Sequence, residues 1–219
     1  MVKELTLNIP TSYEDITLKK WLELQREMEN YKDNDEAVNA LILYHLCGLP
    51  VEYVKGLDVN SYTTIISELN TFLSKTDLEL QRFVTIDGIE YGFEPNLSTM
   101  TYGLFVDITK FETFTIDNNW AKIMNMLYRP VVKKQGNTYS IKPYTINDDY
   151  QKWLSVGMDI HFGCLFFFLN LLIDLSNSTL KSMTEAEQNP NFKSILQRSG
   201  NLIHQYTNLQ KEISRSLTK

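Results

Sequence analysis

The chain has 219 residues, of which 43% are hydrophobic, 12% aromatic and 22% charged. This composition is typical of a globular protein with a sizeable core, and the length favours one domain, or one domain with an appended helical piece. The 21 Lys and Arg residues against 27 Asp and Glu residues give a net charge of −6. That balance argues against broad nucleic-acid binding, because phosphate contacts need clustered cations.

Two features of the sequence bear on where the protein resides. Cys47 and Cys164 are far apart and each lies within an apolar run, where a free thiol behaves as a small buried hydrophobe. Residues 1–10 carry charges and alternating polarity, whereas a secretion signal needs a continuous apolar segment. We therefore predict a protein of the reducing cytoplasm.

The most apolar stretch of the chain, residues 162–173, predicts a buried core helix. A membrane-spanning helix needs about 20 mostly apolar residues. This stretch is shorter, contains Asn170 and is bounded by Asp159 and Asp174. The sequence therefore predicts no membrane partner.

The first third of the chain predicts successive helices. Thr17 is placed to cap the first of them, since its hydroxyl can accept a backbone N–H of the first turn. A second helix over residues 35–47 ends at Gly48, in a position that favours glycine. A further helix is capped by Asp58 or Asn60. This part of the chain is predicted to be a small all-helical unit.

The middle third predicts two β-hairpins with helices between them. Alternating residues on both sides of Asp87-Gly88 give the strongest local hairpin signal, because both residues tolerate the positive φ angles of a tight turn. The strands are predicted at 82–86 with 89–93 and at 131–134 with 139–142, and the helices at 99–111 and 119–128.

The last third returns to helical patterns, predicted at 148–154, at 158–183 and at 191–217. We therefore predict a mainly α, α+β fold. A helical bundle-like domain with two small β-hairpins spans residues 1–183, and a long C-terminal helical arm spans residues 184–219.

The C-terminal arm has an apolar stripe and a charge opposite to that of the whole chain. Residues 191–219 contain five Lys or Arg residues and one Glu, a net charge of +4. The stripe can pack on its own domain or be covered by a partner protein, and it is a candidate for homo-oligomerisation. Its candidate partner-binding residues are Ile195, Leu202, Tyr206, Leu209 and Ile213.

Arg129 is a further candidate partner-binding residue, at the junction of a predicted helix and a predicted strand. The residue before a proline favours an extended backbone, so the helix must end before Pro130. The guanidinium then either caps the carbonyls of the helix end or reaches an acidic group of a partner. The junction geometry favours the capping role.

The sequence carries no recognisable catalytic, cofactor or metal motif. His45 and His204 lie in helical patterns without a second ligand three or four residues away, and His161 has only Cys164 at such a spacing. A zinc site needs three or four convergent ligands, which favours structural roles for these histidines. The G-x-S-x-G, H-E-x-x-H, P-loop and G-x-G-x-x-G patterns are absent from the sequence. An enzyme is therefore less favoured than a protein that acts by binding other proteins.

Five phrases within residues 12–180 carry a resemblance to a known group of proteins. They are the residues Ile16 to Trp21, Leu46 to Pro50 with Val54 and Leu57, a helix containing Tyr62, Ile123 to Pro130 (IMNMLYRP), and Gly157 to Ile173. In these phrases the chain resembles small proteins of tailed bacteriophages that are encoded among the tail and baseplate genes and act as tail or baseplate-hub assembly chaperones.

The resemblance implies a protein without catalytic residues that binds phage tail or hub structural proteins in the host cytoplasm during virion assembly. Residues 184–219 do not match the pattern. This departure leaves an alternative open, in which the chain is a structural virion component, such as an adaptor, ring or hub subunit, held in the particle by its C-terminal helix.

Overall fold

A computed structural model of the chain describes residues 7–31, 33–73, 78–111, 115–136 and 138–183. These residues form seven α-helices and one four-stranded antiparallel sheet, which confirms the mainly helical α+β fold. They group into two compact units. The C-terminal arm with its five candidate residues lies outside the described residues, and a single domain over 1–183 stays a prediction.

The first unit comprises the described residues up to Leu73 together with Gly157–Asp159. Its helices are α1 (Leu18–Glu29), α2 (Asp35–Cys47), α3 (Val51–Val54) and α4 (Val59–Leu73). Thr17 Oγ1 accepts from the backbone N–H of Lys20 at 3.4 Å, and Gly48 ends α2 with φ 69°. Asp58 Oδ1 accepts from the backbone N–H of Ser61 at 3.0 Å. The predicted caps are thereby confirmed.

The core of the first unit contains Tyr13, which is buried before the start of α1. Its hydroxyl donates to the carbonyl oxygen of Leu73 at 3.1 Å, and its ring meets Phe72 edge-on at 5.5 Å. The backbone N–H of Met158 donates to the carbonyl oxygen of Ile16 at 2.8 Å. A buried phenol with a fixed acceptor thus ties the segment before α1 to the end of α4.

The second unit comprises Leu78–Val156 and the described residues from Ile160 onward. Its strands are β1 (Phe83–Ile86), β2 (Ile89–Phe93), β3 (Tyr128–Gln135) and β4 (Thr138–Ile141), and its helices are α5 (Tyr102–Thr109), α6 (Trp120–Leu127) and α7 (Met158–Met183) from Ile160 onward. The sheet order is β1-β2-β3-β4. Asp87 and Gly88 have φ angles of 51° and 77°, which confirms the predicted tight turn.

The two predicted hairpins join into one sheet, because β3 begins earlier than predicted. Tyr128 opposes Phe93 and Pro130 opposes Tyr91 in the β2-β3 ladder. Helix α6 correspondingly ends at Leu127, one residue before the predicted end. The helix predicted at 148–154 is shorter, a 3₁₀-helix at Gln151–Ser155. Local periodicity does not report such long-range pairing.

The core of the second unit is unusually aromatic. Trp120, Tyr128, Trp153 and Phe162 are fully or almost fully buried. Within the apolar stretch 162–173, side chains on α7 that include Cys164, Leu165 and Leu169 are also buried, which confirms the predicted core helix. Within the described ranges, no helix is long and apolar enough to cross a membrane.

Candidate partner-binding groove

Arg129 lies at the start of β3, and its guanidinium is held by three groups of the second unit. Nε donates to the carbonyl oxygen of Lys142 at 2.8 Å, and Nη1 donates to the carbonyl oxygen of Met126 at 2.9 Å. Nη2 forms an ion pair with the Glu94 carboxylate, and the two side chains are 11% and 10% exposed. The predicted cap of α6 is confirmed, whereas partner binding by Arg129 stays a prediction.

A groove of about 500 Å³ lies beside this ion pair, within the range of ligand-binding clefts. We call it the β3 groove. It is lined by Tyr91, Asn125, Tyr128, Arg129, Pro130, Lys142, Pro143, Thr145, Asn147, Asp149 and Lys152. Two prolines supply accessible apolar surface above the buried rings of two tyrosines, while amide and charged groups supply hydrogen-bonding capacity. This mixture suits a polypeptide ligand better than a purely apolar one.

Hydrogen bonds between two asparagines organise one part of the groove. Asn125 is 8% exposed, and its Nδ2 donates to Asn147 Oδ1 at 2.7 Å. The same oxygen accepts from the backbone N–H of Asp149 at 3.2 Å. The segment 142–148, which is neither helix nor strand, is thereby anchored to α6. A groove built on such anchored elements loses less entropy when a ligand binds.

The charged groups of the groove are mainly cationic. Lys152 Nζ lies 2.8 Å from Asp149 Oδ2, with side-chain exposures of 12% and 76%. Lys142 is exposed, and no carboxylate in the described part of the chain forms an ion pair with it. The groove therefore presents three cations and one carboxylate in a chain whose net charge is −6.

His161 is buried inside the second unit and takes a structural role, as predicted. Its Nδ1 accepts from Trp120 Nε1 at 3.2 Å, and its Nε2 lies 3.1 Å from the carbonyl oxygen of Trp153. These partners fix the neutral tautomer with the proton on Nε2. Burial lowers the pKa of His161 to about 3, so the ring is neutral at pH 7.

The neutral His161 makes the stability of the protein depend on pH. The unfolded chain binds a proton there near pH 6.5 and the native state only near pH 3. Stability is therefore fully present above pH 6.5 and is lost as the pH falls, with a slope of up to about 1.4 kcal/mol per pH unit. Urea unfolding at several pH values measures this slope. In His161→Gln, which does not titrate, we expect a shallower slope, and equal slopes would contradict the assignment.

The other candidate reactive groups are equally enclosed or lie apart. His45 Nε2 lies 3.2 Å from Glu27 Oε2 in the first unit, and His204 lies outside the described residues. Cys47 and Cys164 are buried free thiols, as predicted, and burial raises the pKa of each. No group of three His, Cys, Asp or Glu residues in the described chain could hold a metal ion.

Sequence reasoning found Arg129 and Pro130 but missed the rest of the groove. Its walls come from β2, from the α6-β3 junction and from residues 142–152. No spacing pattern links these three segments, and Lys142 and Asn147 look like ordinary surface residues in the sequence. The β2-β3 and β3-β4 pairings and the hydrogen bond from the Lys142 backbone N–H to the carbonyl oxygen of Pro130 bring them together.

Comparison with known proteins finds no matching family model, no matching curated protein and no matching solved structure. The function must therefore be inferred from this chain's own residues. Of these, the residues of the β3 groove form a defined concave surface with convergent polar groups, the usual form of a binding site.

Proposed function

We propose that the protein acts by binding other proteins, as an assembly chaperone for tail or baseplate-hub components of a tailed bacteriophage. The observation that carries the proposal is the β3 groove. The phrase Ile123 to Pro130, which contributes to the resemblance, ends in Tyr128, Arg129 and Pro130, and these three residues line the groove. One of the shared phrases thus coincides with a surface suited to a polypeptide.

The groove rests on rigid supports, which favours a binding role for it. Tyr128 is fully buried, and its hydroxyl donates to the carbonyl oxygen of Gln81 at 2.6 Å. Its ring lies 5.2 Å from the ring of Trp153. Arg129, the next residue of β3 after Tyr128, is held by its buried ion pair with Glu94. Side chains locked in this way form a preorganised surface, which strengthens binding by reducing its entropic cost.

Exposed aromatic side chains on α5 add to the support for protein binding. Tyr102 is 81% exposed and Phe105 is 52% exposed. Their spacing of three residues places them side by side on one helical face. Aromatic residues are enriched in protein interfaces relative to the remaining surface. A partner that covers this face of α5 would remove both rings from water.

Mass spectrometry can test the proposal on proteins that co-purify with the tagged chain from phage-infected cells, beside the proteome of purified particles. We expect a tail or hub protein among the co-purifying proteins and no copies of the chain in finished particles. A fixed ratio of the chain in particles would instead establish the structural-subunit alternative. Recovery of no tail or hub protein would contradict both functions.

A further inference from the structure

We infer that the β3 groove binds an extended, acidic segment of the protein partner. The inference rests on the proposed function and specifies the chemistry of the partner. Charge complementarity is its first support, because Lys142 and Lys152 line the groove together with Arg129, against the single carboxylate of Asp149. Arg129 is paired with Glu94, and Lys152 is paired with Asp149. Lys142 is therefore the cation of the lining that is left for a ligand.

The lining of the groove has more cations than carboxylates, opposite in sign to the net charge of the chain. The chain carries a net charge of −6, which repels an acidic ligand from most of the surface. A local excess of cations at one groove therefore guides such a ligand to this place and orients it there. Charged groups in this arrangement give specificity and a faster association rate more than raw affinity.

The backbone beside the groove supplies the second support. Residues 142–148 form neither a helix nor a strand. For the backbone N–H groups of Tyr144, Thr145 and Ile146, no acceptor is found in the part of the chain that the structure describes. Thr145 lines the groove. The backbone N–H of Thr145 can therefore pair with a carbonyl group of an extended peptide in the groove.

The apolar walls distinguish a peptide from a simple anion. Pro130 and Pro143 lie on the lining together with the rings of Tyr91 and Tyr128. A peptide side chain can pack on the exposed Pro143 and the half-buried Pro130, whereas phosphate gains nothing from them. Single-stranded nucleic acid would need more than one uncompensated cation along its backbone. The lining as a whole therefore favours an acidic peptide.

Fluorescence anisotropy tests the inference with a short labelled peptide in which glutamate alternates with valine. The same peptide with glutamine in place of glutamate shows how much the negative charges contribute to the affinity. Labelled oligothymidylate tests whether the protein binds single-stranded nucleic acid more tightly than the peptide. The proteins are the full chain, its Lys142→Glu variant and a matched Lys19→Glu control. Lys19 is exposed at the start of α1, where an acidic residue suits the helix dipole.

We expect the wild-type chain and Lys19→Glu to bind the glutamate peptide equally. Binding should weaken about tenfold in Lys142→Glu, and it should weaken for every protein in about 0.5 M NaCl, where charges are screened. Equal affinity for the glutamate and glutamine peptides, no binding of either, or tighter binding of oligothymidylate would overturn the inference. If Lys142→Glu loses the model peptide but still co-purifies with a tail or hub protein, the inference fails while the proposed function stands.

Discussion

Arg129→Met is expected to lower the free energy of unfolding by about 3–5 kcal/mol, the usual cost of breaking a buried ion pair. The Glu94 carboxylate, 10% exposed, would lose the guanidinium that pairs with it. The carbonyl oxygens of Met126 and Lys142 would also lose the guanidinium donors. Urea unfolding followed by circular dichroism measures the change.

A second ion pair of β3, this one with β2, supplies a control. Lys134 on β3 lies 2.9 Å from Glu90 on β2, but these side chains are 43% and 40% exposed. Exposed pairs of this kind contribute about 0–1 kcal/mol, so Lys134→Met should change the stability little. Equal losses in the two variants would contradict the account of Arg129. In Arg129→Met combined with Glu94→Met, part of the stability should return, because no charge remains uncompensated.

Gly163→Ala is the second change with a large expected effect, a loss of about 2–3 kcal/mol from overpacking. Gly163 lies in α7, and a Cβ atom added to it would be 2.3 Å from the carbonyl oxygen of Glu79. That contact is with backbone, which no side-chain rotation can relieve. Helix α7 and the segment that contains Glu79 must therefore move apart. The cost of this movement outweighs the preference of about 1 kcal/mol that alanine has over glycine in a helix.

Gly103→Ala should have the opposite sign. Gly103 also lies in a helix, α5, but the atom nearest to an added Cβ is Cδ1 of Tyr144 at 3.9 Å, an ordinary contact. The helix preference of alanine is then expressed without a clash. Thermal unfolding of both variants should give a lower midpoint for Gly163→Ala and an equal or higher one for Gly103→Ala. A lower midpoint for both, or for neither, would mean that the packing of α7 on residues 79–80 is described wrongly.

Local signals in the sequence predicted the local parts of the fold. The Asp87-Gly88 turn, the Thr17 cap and the end of α2 at Gly48 each depend on the conformational preference of one or two residues. Such preferences act over a few residues and therefore appear in the sequence. The α7 core helix is predicted from its apolar stretch, which also lies within one short part of the chain.

Contacts between distant segments could not be predicted in this way. Tyr128 falls within the helix predicted at 119–128, but it pairs with Phe93 in the sheet, and the two rings lie 5.2 Å apart. Cross-strand packing of this kind outweighs local helix preference. The partner of Arg129, Glu94, is 35 residues away, so the sequence indicated a cap but not the buried ion pair.

The most direct test of the central claim is quantitative mass spectrometry of tail and hub proteins that co-purify with three tagged proteins: the wild-type chain, Lys142→Glu and Lys19→Glu. If the protein acts by binding such a partner through the β3 groove, wild type and Lys19→Glu will recover the same tail or hub protein in equal amounts. Lys142→Glu will recover about tenfold less, in line with the reversal of one complementary charge. Equal recovery by all three proteins would contradict binding through the groove, and recovery by none would contradict the chaperone function itself.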